Sequence, residues 1–340
     1  MLRFASHTRA QLSAGDRPIL LVVVDTEEEF DWQKPFNRSS TGTTSISDQP
    51  TLHDRVYDRL GIVPTYMVDW PVATTAASVA VLRALTDQKR CEIGAHLHPW
   101  VTPPHDEQVT AFNSFAGNLP RALEQEKLQR LTVAISDAFG RAPIAFKAGR
   151  YGLGAHTADM LAMLGYQIDA SVVPYTSFRA DDGPDFSAFG HDPYWFKAGG
   201  RDLLELPVTG GYCGWLAQAG PPVYQLAQHR LAKAARLGGI LARTRAVERI
   251  RLSPEGANLD EMKRLSRALV RGGTKILTMT YHSPSLAVGH TPYVRSQGDL
   301  RAFIQTINDY CTFFEAEIGG VFMSLSEVYQ KLHAQRAAPC

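Results

Sequence analysis

The stretch ILLVVVDTEEEFDW (19–32) decides how the rest of the chain is read. Ile19–Val24 is an unbroken apolar run rich in β-branched residues, which suits a strand buried on both faces in a parallel sheet. Polarity changes abruptly at Asp25, and Glu27, Glu28, Glu29 and Asp31 follow within a few residues. Acids placed just past a buried parallel strand sit where such folds gather their chemistry, at the carboxyl end of the strand.

Similar short runs recur along the sequence at Val63–Asp69, Glu92–His98, Ile144–Gly149, Gln167–Val173, Leu203–Val208, Ile276–His282 and Gly320–Ser324. Stretches with helical spacing lie between them. Leu128, Leu131, Ile135 and Phe139 follow the start signal at Asn118/Pro120 and stop at Gly140. Leu300, Phe303, Ile304, Ile307 and Phe314 mark a second helix, with Asp299 as its expected cap. This alternation predicts βαβ units and a mostly parallel sheet, and the number of units suits a barrel better than an open sheet. Pro103–Leu119 reads as a polar loop. Tyr224–Lys275 reads as a helical insertion in which basic residues outnumber Glu248, Glu255, Asp260 and Glu261.

Composition narrows the class of protein. The 340 residues are 44% hydrophobic and 20% charged, ordinary values for a globular enzyme with a sizeable core. Lys+Arg 35 against Asp+Glu 34 gives a net charge of +1, which argues against a nucleic-acid partner contacted over the whole surface. Cys91, Cys213, Cys311 and Cys340 form no C-x-x-C pair, so neither a thiolate zinc site nor a disulfide scaffold is expected. Met1–Pro18 lacks the apolar segment of a signal peptide, and no run approaches the ~20 residues of a membrane span. The expectation is a cytoplasmic protein.

The other strand ends carry matching chemistry. His96 and His98 are two apart, so in an extended strand both imidazoles face one side and can share a metal ion. Asp25 and Glu27 share a side in the same way. A metal hydrolase needs one carboxylate on the metal and another free to take a proton from water, and these two can divide the tasks, with Glu28 as a competitor to Glu27. His282, at the end of Ile276–Tyr281, is a candidate general acid.

Taken in order, VVVDTEEEFDW (22–32), EIGAHLHPWVTPP (92–104), FKAGRYG (146–152), DASVVPY (169–175), YHSPSLAVGHTPYV (281–294) and VFMSLSEVY (321–329) resemble the NodB-type polysaccharide deacetylases, carbohydrate esterase family four, and within them a WalW-like branch. The resemblance runs from about Pro18 to His333. It implies a distorted (β/α)7 barrel, TIM-like, over residues 18–335, after an N-terminal extension (1–17) and with the basic helical insertion at about 218–272. It also implies metal-dependent hydrolysis of an N-acyl group, N-acetyl foremost, on a sugar or cell-envelope glycan precursor.

Carried over by motif, Asp25 is the base, Glu27, His96 and His98 hold the metal, and His282 is the acid. The expected cofactor is a divalent metal, zinc first, with Co, Ni, Mn or Fe as alternatives. The family's adjacent Asp-Asp is Asp25-Thr26-Glu27 here, and its second histidine falls on Trp100, so His98 must substitute, with His105 a remoter candidate. The cation that orients the base is Lys147 or Arg150, with Arg150 preferred for its two-pronged guanidinium. Asp169 is the candidate for tuning the acid histidine. The expected partner is a carbohydrate or glycan precursor, and the basic insertion would suit a phosphorylated or membrane-surface substrate. Two other readings keep the barrel: a hydrolase of non-sugar amides or cyclic ureides, and a catalytically silent carbohydrate-binding protein.

Overall fold

A computed structural model of the chain describes residues 7–214 and 248–337. β2 (Ile19–Thr26) lies at the centre, buried at every position. It pairs in parallel with β3 (Thr65–Val68) on one side and β11 (Ile276–His282) on the other. The short β12 (Val321–Phe322) joins its first residues. Beyond β3 the parallel order continues through β4 (Glu92–Leu97), β5 (Ala145–Ala148), β6 (Ile168–Asp169) and β8 (Arg201–Glu205).

Two antiparallel strands finish that edge: β7 (Tyr194–Ala198) on β8, and β1 (His7–Arg9) on β7. The N-terminal extension expected to lie outside the domain therefore adds a strand to its sheet. Tyr194–Ala198 was not anticipated as a strand.

A second hairpin spans the gap between the two ends of the sheet. β9 (Gly210–Cys213) pairs with β10 (Glu248–Arg251). Just before β9, Val208 N–H donates to Val172 O at 3.1 Å, while Thr209 N–H reaches Thr278 O on β11 at 3.2 Å. The Thr209 hydroxyl accepts from Thr278 N–H at 2.7 Å. These bonds tie the β6–β8 side to the β11 side and give the sheet its barrel character.

The basic stretch 218–272 departs from expectation where it is described. Residues 218–247 lie outside the described residues, and the remainder contains β10 as well as the helix Leu259–Arg271. That helix starts at a capping box, with Asn258 and Glu261 each bonding the other's backbone N–H. The helix expected from Asp299 begins at Ser296, whose hydroxyl accepts from Asp299 N–H at 3.1 Å. Asp299 sits instead in the first turn, where a negative charge suits the helix dipole. Arg121–Phe139 forms as read, with Leu128, Leu131 and Ile135 buried and Gly140 in the left-handed conformation that ends it.

One loop is pinned from beneath. The buried Lys127 donates to Pro99 O at 3.0 Å, Thr102 O at 2.5 Å and Pro104 O at 2.5 Å, and pairs with Glu107 at 3.0 Å. These four partners satisfy a cation that burial would otherwise penalise, and they fix the segment that follows β4.

Candidate metal centre and active site

The carboxyl ends of β2, β4, β5 and β11 open into a cavity of about 280 Å³. Asp25, Glu27, His96, His98 and His282 all line it, together with Trp32, Phe36, Arg150, Tyr151, Arg251 and Tyr293. A larger groove of about 970 Å³ lies among the helices Trp70–Thr74, Ala76–Asp87 and Arg121–Phe139. None of the candidate site residues lines it.

The alternation of β4 brings His96 and His98 to one side, and their rings are 4.6 Å apart. Each has one nitrogen committed. His96 Nδ1 donates to Lys147 O at 3.0 Å, and His98 Nδ1 donates to Glu28 at 2.8 Å. Both Nε2 atoms therefore carry lone pairs, and both lie 3.4 Å from the same oxygen of Glu27. Burial keeps both imidazoles neutral, His98 at about 4 and His96 well below its ordinary value.

Glu27 has the opposite difficulty. It is 2% exposed, and its second oxygen has no hydrogen-bond partner. Burial pushes its pKa well up, and Glu28, Asp25, Asp69 and Glu255 add to the effect. A carboxylate facing two bare imidazole nitrogens among four further acids fits a divalent cation, whose charge would reverse that penalty. The ligand atoms of Glu27, His96 and His98 lie within 4.8 Å of one another, so this group could hold a metal ion.

Glu28, Asp69 and His98 form a second such group, but its atoms are already engaged. Glu28 accepts from His98 and, at 2.7 Å, from Trp100 Nε1; Asp69 accepts from the N–H groups of Glu28 and Val72. Glu28 is thus placed behind His98, where it fixes the ring and its tautomer.

Gly149 makes room for that ring. A side-chain carbon there would lie 2.3 Å from His98 Cδ2 and 2.5 Å from Leu97 O. On the loop, His105 is exposed and does not line the cavity.

The other wall holds Asp25 and His282. Lys147 Nζ lies 2.6 Å from both oxygens of Asp25. Burial opposes the charge of Asp25, yet Lys147, His96 and His282 outweigh it and hold the carboxyl at about 2. Lys147, not Arg150, is therefore the cation on this acid. Lys147 belongs to β5 and points inward at the level of β2, whereas Arg150 lies past the strand's end. The guanidinium of Arg150 lies over the Phe115 ring at 4.0 Å and donates to Ala111 O at 3.3 Å and to Ser114 Oγ.

His282 Nε2 stands 3.7 Å from Asp25, and its Nδ1 donates to Glu255 at 2.6 Å. Glu255 also accepts from His282 N–H and from the Ser285 hydroxyl. Burial works against a charged His282, but Glu255 and then Asp25 win, and its pKa is raised.

Asp169 takes no part in this arrangement. It is buried in β6 directly opposite Glu205 on β8, accepts from Ser171 N–H and Oγ, and does not line the cavity. Burial raises its pKa to about 6. Glu255, the residue that does bond His282, follows β10 inside the stretch read as a basic helical insertion, where the sequence offers no sign of it beyond a carboxylate among lysines and arginines. Among the tryptophans, Trp32 is half-buried in the cavity and meets His282 edge-on at 4.9 Å. Trp100 is buried against His98, Trp70 lines the separate groove, and Trp215 is outside the described residues.

No family model matches the sequence. No curated protein matches it either. Solved structures do resemble the fold. One is the Puue allantoinase, at 14% identity over 98% of this chain and 96% of that one, with a TM-score of 0.55. Another is a "probable polysaccharide deacetylase" from Pseudomonas aeruginosa PAO1, at 14% identity over 94% and 92%, with a TM-score of 0.53. A protein named among the glycoside hydrolase/deacetylases, from Parabacteroides distasonis, gives 12% identity over 95% and 73%, with a TM-score of 0.56. Identities this low show the fold alone: the chain is an α/β barrel of the TIM-like type that these proteins share.

Proposed function

We propose that the protein is a metal-dependent hydrolase that removes an N-acyl group, N-acetyl foremost, from a sugar or a cell-envelope glycan precursor. The reading also puts it with the NodB-type deacetylases, in the WalW-like branch, as a single barrel domain that takes in the strand His7–Arg9 as well as residues 18–335. One observation carries it: the two bare imidazole nitrogens of His96 and His98 meet an unpaired oxygen-bearing Glu27 between two further dyads, Lys147–Asp25 and Glu255–His282.

Glu27, His96 and His98 would hold the metal, with zinc the first candidate for this nitrogen- and oxygen-donor set. Bound there, a divalent cation would polarise the acyl carbonyl and bring the pKa of a water to about 7. Asp25 is ionised and held by Lys147 through both oxygens, so it faces the cavity as a fixed proton acceptor. Its low pKa makes it a weak base; its contribution is position more than basicity. His282, whose hold on a proton is strengthened by Glu255, stands across from Asp25 and is the donor for the departing amine. The aromatic walls formed by Trp32, Phe36 and Tyr293 offer flat faces to a sugar ring.

Protein purified without chelator should contain about one equivalent of divalent metal, and should release acetate from N-acetylated oligosaccharides in a chelator-sensitive, zinc-restored reaction. Metal uptake with hydrolysis of allantoin but not of N-acetylated sugars would overturn the sugar assignment in favour of ureide hydrolysis. Failure to take up any divalent metal would overturn the metal-dependent reading.

A further inference from the structure

The charges of the mouth balance in pairs until two are left over. Lys147 faces Asp25, His282 faces Glu255, and Lys34 faces Asp31 at 3.1 Å. Glu27 and Glu28 are the natural counter-charges to a divalent cation. Arg150 and Arg251 also line the cavity; among the described residues no ion pair joins either to a carboxylate, and Asp181 acts on Arg150 only through space.

Both guanidiniums are held by aromatic rings rather than by acids. Arg150 lies over Phe115 at 4.0 Å and stands 5.1 Å from Phe36, and its one bonded nitrogen, Nη1, reaches Ala111 O and Ser114 Oγ. Arg251 lies 5.6 Å from the Tyr151 ring. The chain accepts strain to keep this wall in place: Arg150 and Tyr151 are consecutive non-glycine residues with φ of 51° and 58°. Two guanidiniums with open N–H edges, one of them anchored and the other exposed at the rim, form a receptor for an oxyanion beside a site whose other charges are matched.

We propose that Arg150 and Arg251 bind an anionic group, carboxylate or phosphate, on the substrate, so that the natural substrate is an N-acylated sugar that carries a negative charge beyond its acyl group. This rests on the N-acyl-sugar reading of the site. It adds to that reading a class of substrate, and it assigns specificity to two residues that take no part in the chemistry.

The test measures binding rather than turnover, so that the two readings fail separately. Zinc-loaded full-length protein is titrated calorimetrically with N-acetylglucosamine, N-acetylglucosamine 6-phosphate and N-acetylmuramic acid. At least one charged sugar should bind about ten-fold or more tightly than the neutral one, the difference a charge-assisted hydrogen bond supplies. Whichever charged sugar shows the preference identifies the anion as phosphate or carboxylate. That preference should shrink with added salt and collapse in R251Q, whose site is exposed, and in R150Q. Zinc content measured in parallel shows that both variants keep the metal centre. Equal affinity for all three sugars, or a preference that survives in both variants, overturns the proposal. Tight, arginine-dependent binding without acetate release would leave the proposal standing and count against the hydrolase reading alone.

Discussion

The two walls of the mouth are built from the same part, a histidine whose Nδ1 donates to a buried glutamate, and the two parts are set to opposite states. On the β4 wall His98 donates to Glu28 at 2.8 Å; on the β11 wall His282 donates to Glu255 at 2.6 Å. His98 stays neutral, pulled down to about 4 by its burial, while His282 is raised above its ordinary value. For His98 burial dominates; for His282 the charge of Glu255 outweighs burial, with Asp25 beyond Nε2 adding to it. His98 looks onto Glu27 in company with a second buried imidazole, an arrangement that wants lone pairs turned toward a cation. His282 looks onto Asp25, an ionised acid, which favours a proton. A histidine–carboxylate pair is therefore not by itself a role; burial, the charge of the acid behind the ring and the group beyond the far nitrogen decide together between ligand and acid.

The sharpest way to break this comparison is to remove each ring in turn. H98A should lose the bound metal and reduce activity to background. H282A should keep a full equivalent of metal and lose activity by about 10²–10⁴-fold, the range for a missing proton donor. Metal analysis beside acetate release separates the two. Equal metal loss in both variants would erase the distinction between the walls.

Removing the glutamates is the next test. E28Q should weaken metal binding by about 10–100-fold, as is usual when a ligand's supporting partner is lost. E255Q should leave metal affinity alone and lower turnover. It should also bring the alkaline limb of the pH profile to lower pH, because His282 loses the charge that holds its proton. A competitive metal titration and a pH series of kcat/KM read the two effects.

G149A probes the β4 wall without touching a polar group. The added methyl would fall 2.3 Å from the His98 ring, with backbone on the other side, so the ring must move. We expect weaker metal binding than in the parent and a stability loss of about 1–3 kcal/mol, the usual cost of overpacking. Denaturant melts of metal-free protein report the second quantity without the first.

How much of these walls was readable in the sequence follows from the range of the interactions. β2 announces itself as an unbroken apolar run from Ile19 to Val24, and β4 and β11 as short, largely buried runs in which apolar residues recur. Asp25, Glu27, His96, His98 and His282 stand at the ends of those strands, and a period of two brings each same-side pair together. The preference for Arg150 over Lys147 rests on the shape of the guanidinium, whereas what separates the two is whether the residue still belongs to β5. That depends on where the strand ends, the feature local pattern fixes least well.

Glu255 was invisible for a different reason. It reaches His282 from 27 residues away, after a hairpin strand, Glu248–Arg251, whose polar pattern resembles the surface of a helix. Asp169 was the mirror error: a conspicuous acid in the expected segment, but spent in a lateral contact with Glu205 that only the strand register reveals.

The smallest expected effect concerns stability. His282 has a raised pKa in the folded protein, against 6.5 for the ordinary imidazole. Its protonated form is therefore stabilised by folding, and that contribution is complete below pH 6.5, where both folded and unfolded states carry the proton. Between pH 6.5 and the raised folded value the folded state binds more protons than the unfolded, so stability falls as pH rises through this window. Glu255 is the leading favourable cause of the shift, so E255Q should flatten the slope there. Urea unfolding of metal-free protein at a series of pH values from 6 upward makes the measurement, and chelation keeps the β4 wall from contributing a metal-binding term of its own. A slope that persists undiminished in E255Q would mean that Asp25, not Glu255, holds the proton on His282. The two walls would then differ through the acid that each Nε2 faces rather than through the acid behind each Nδ1.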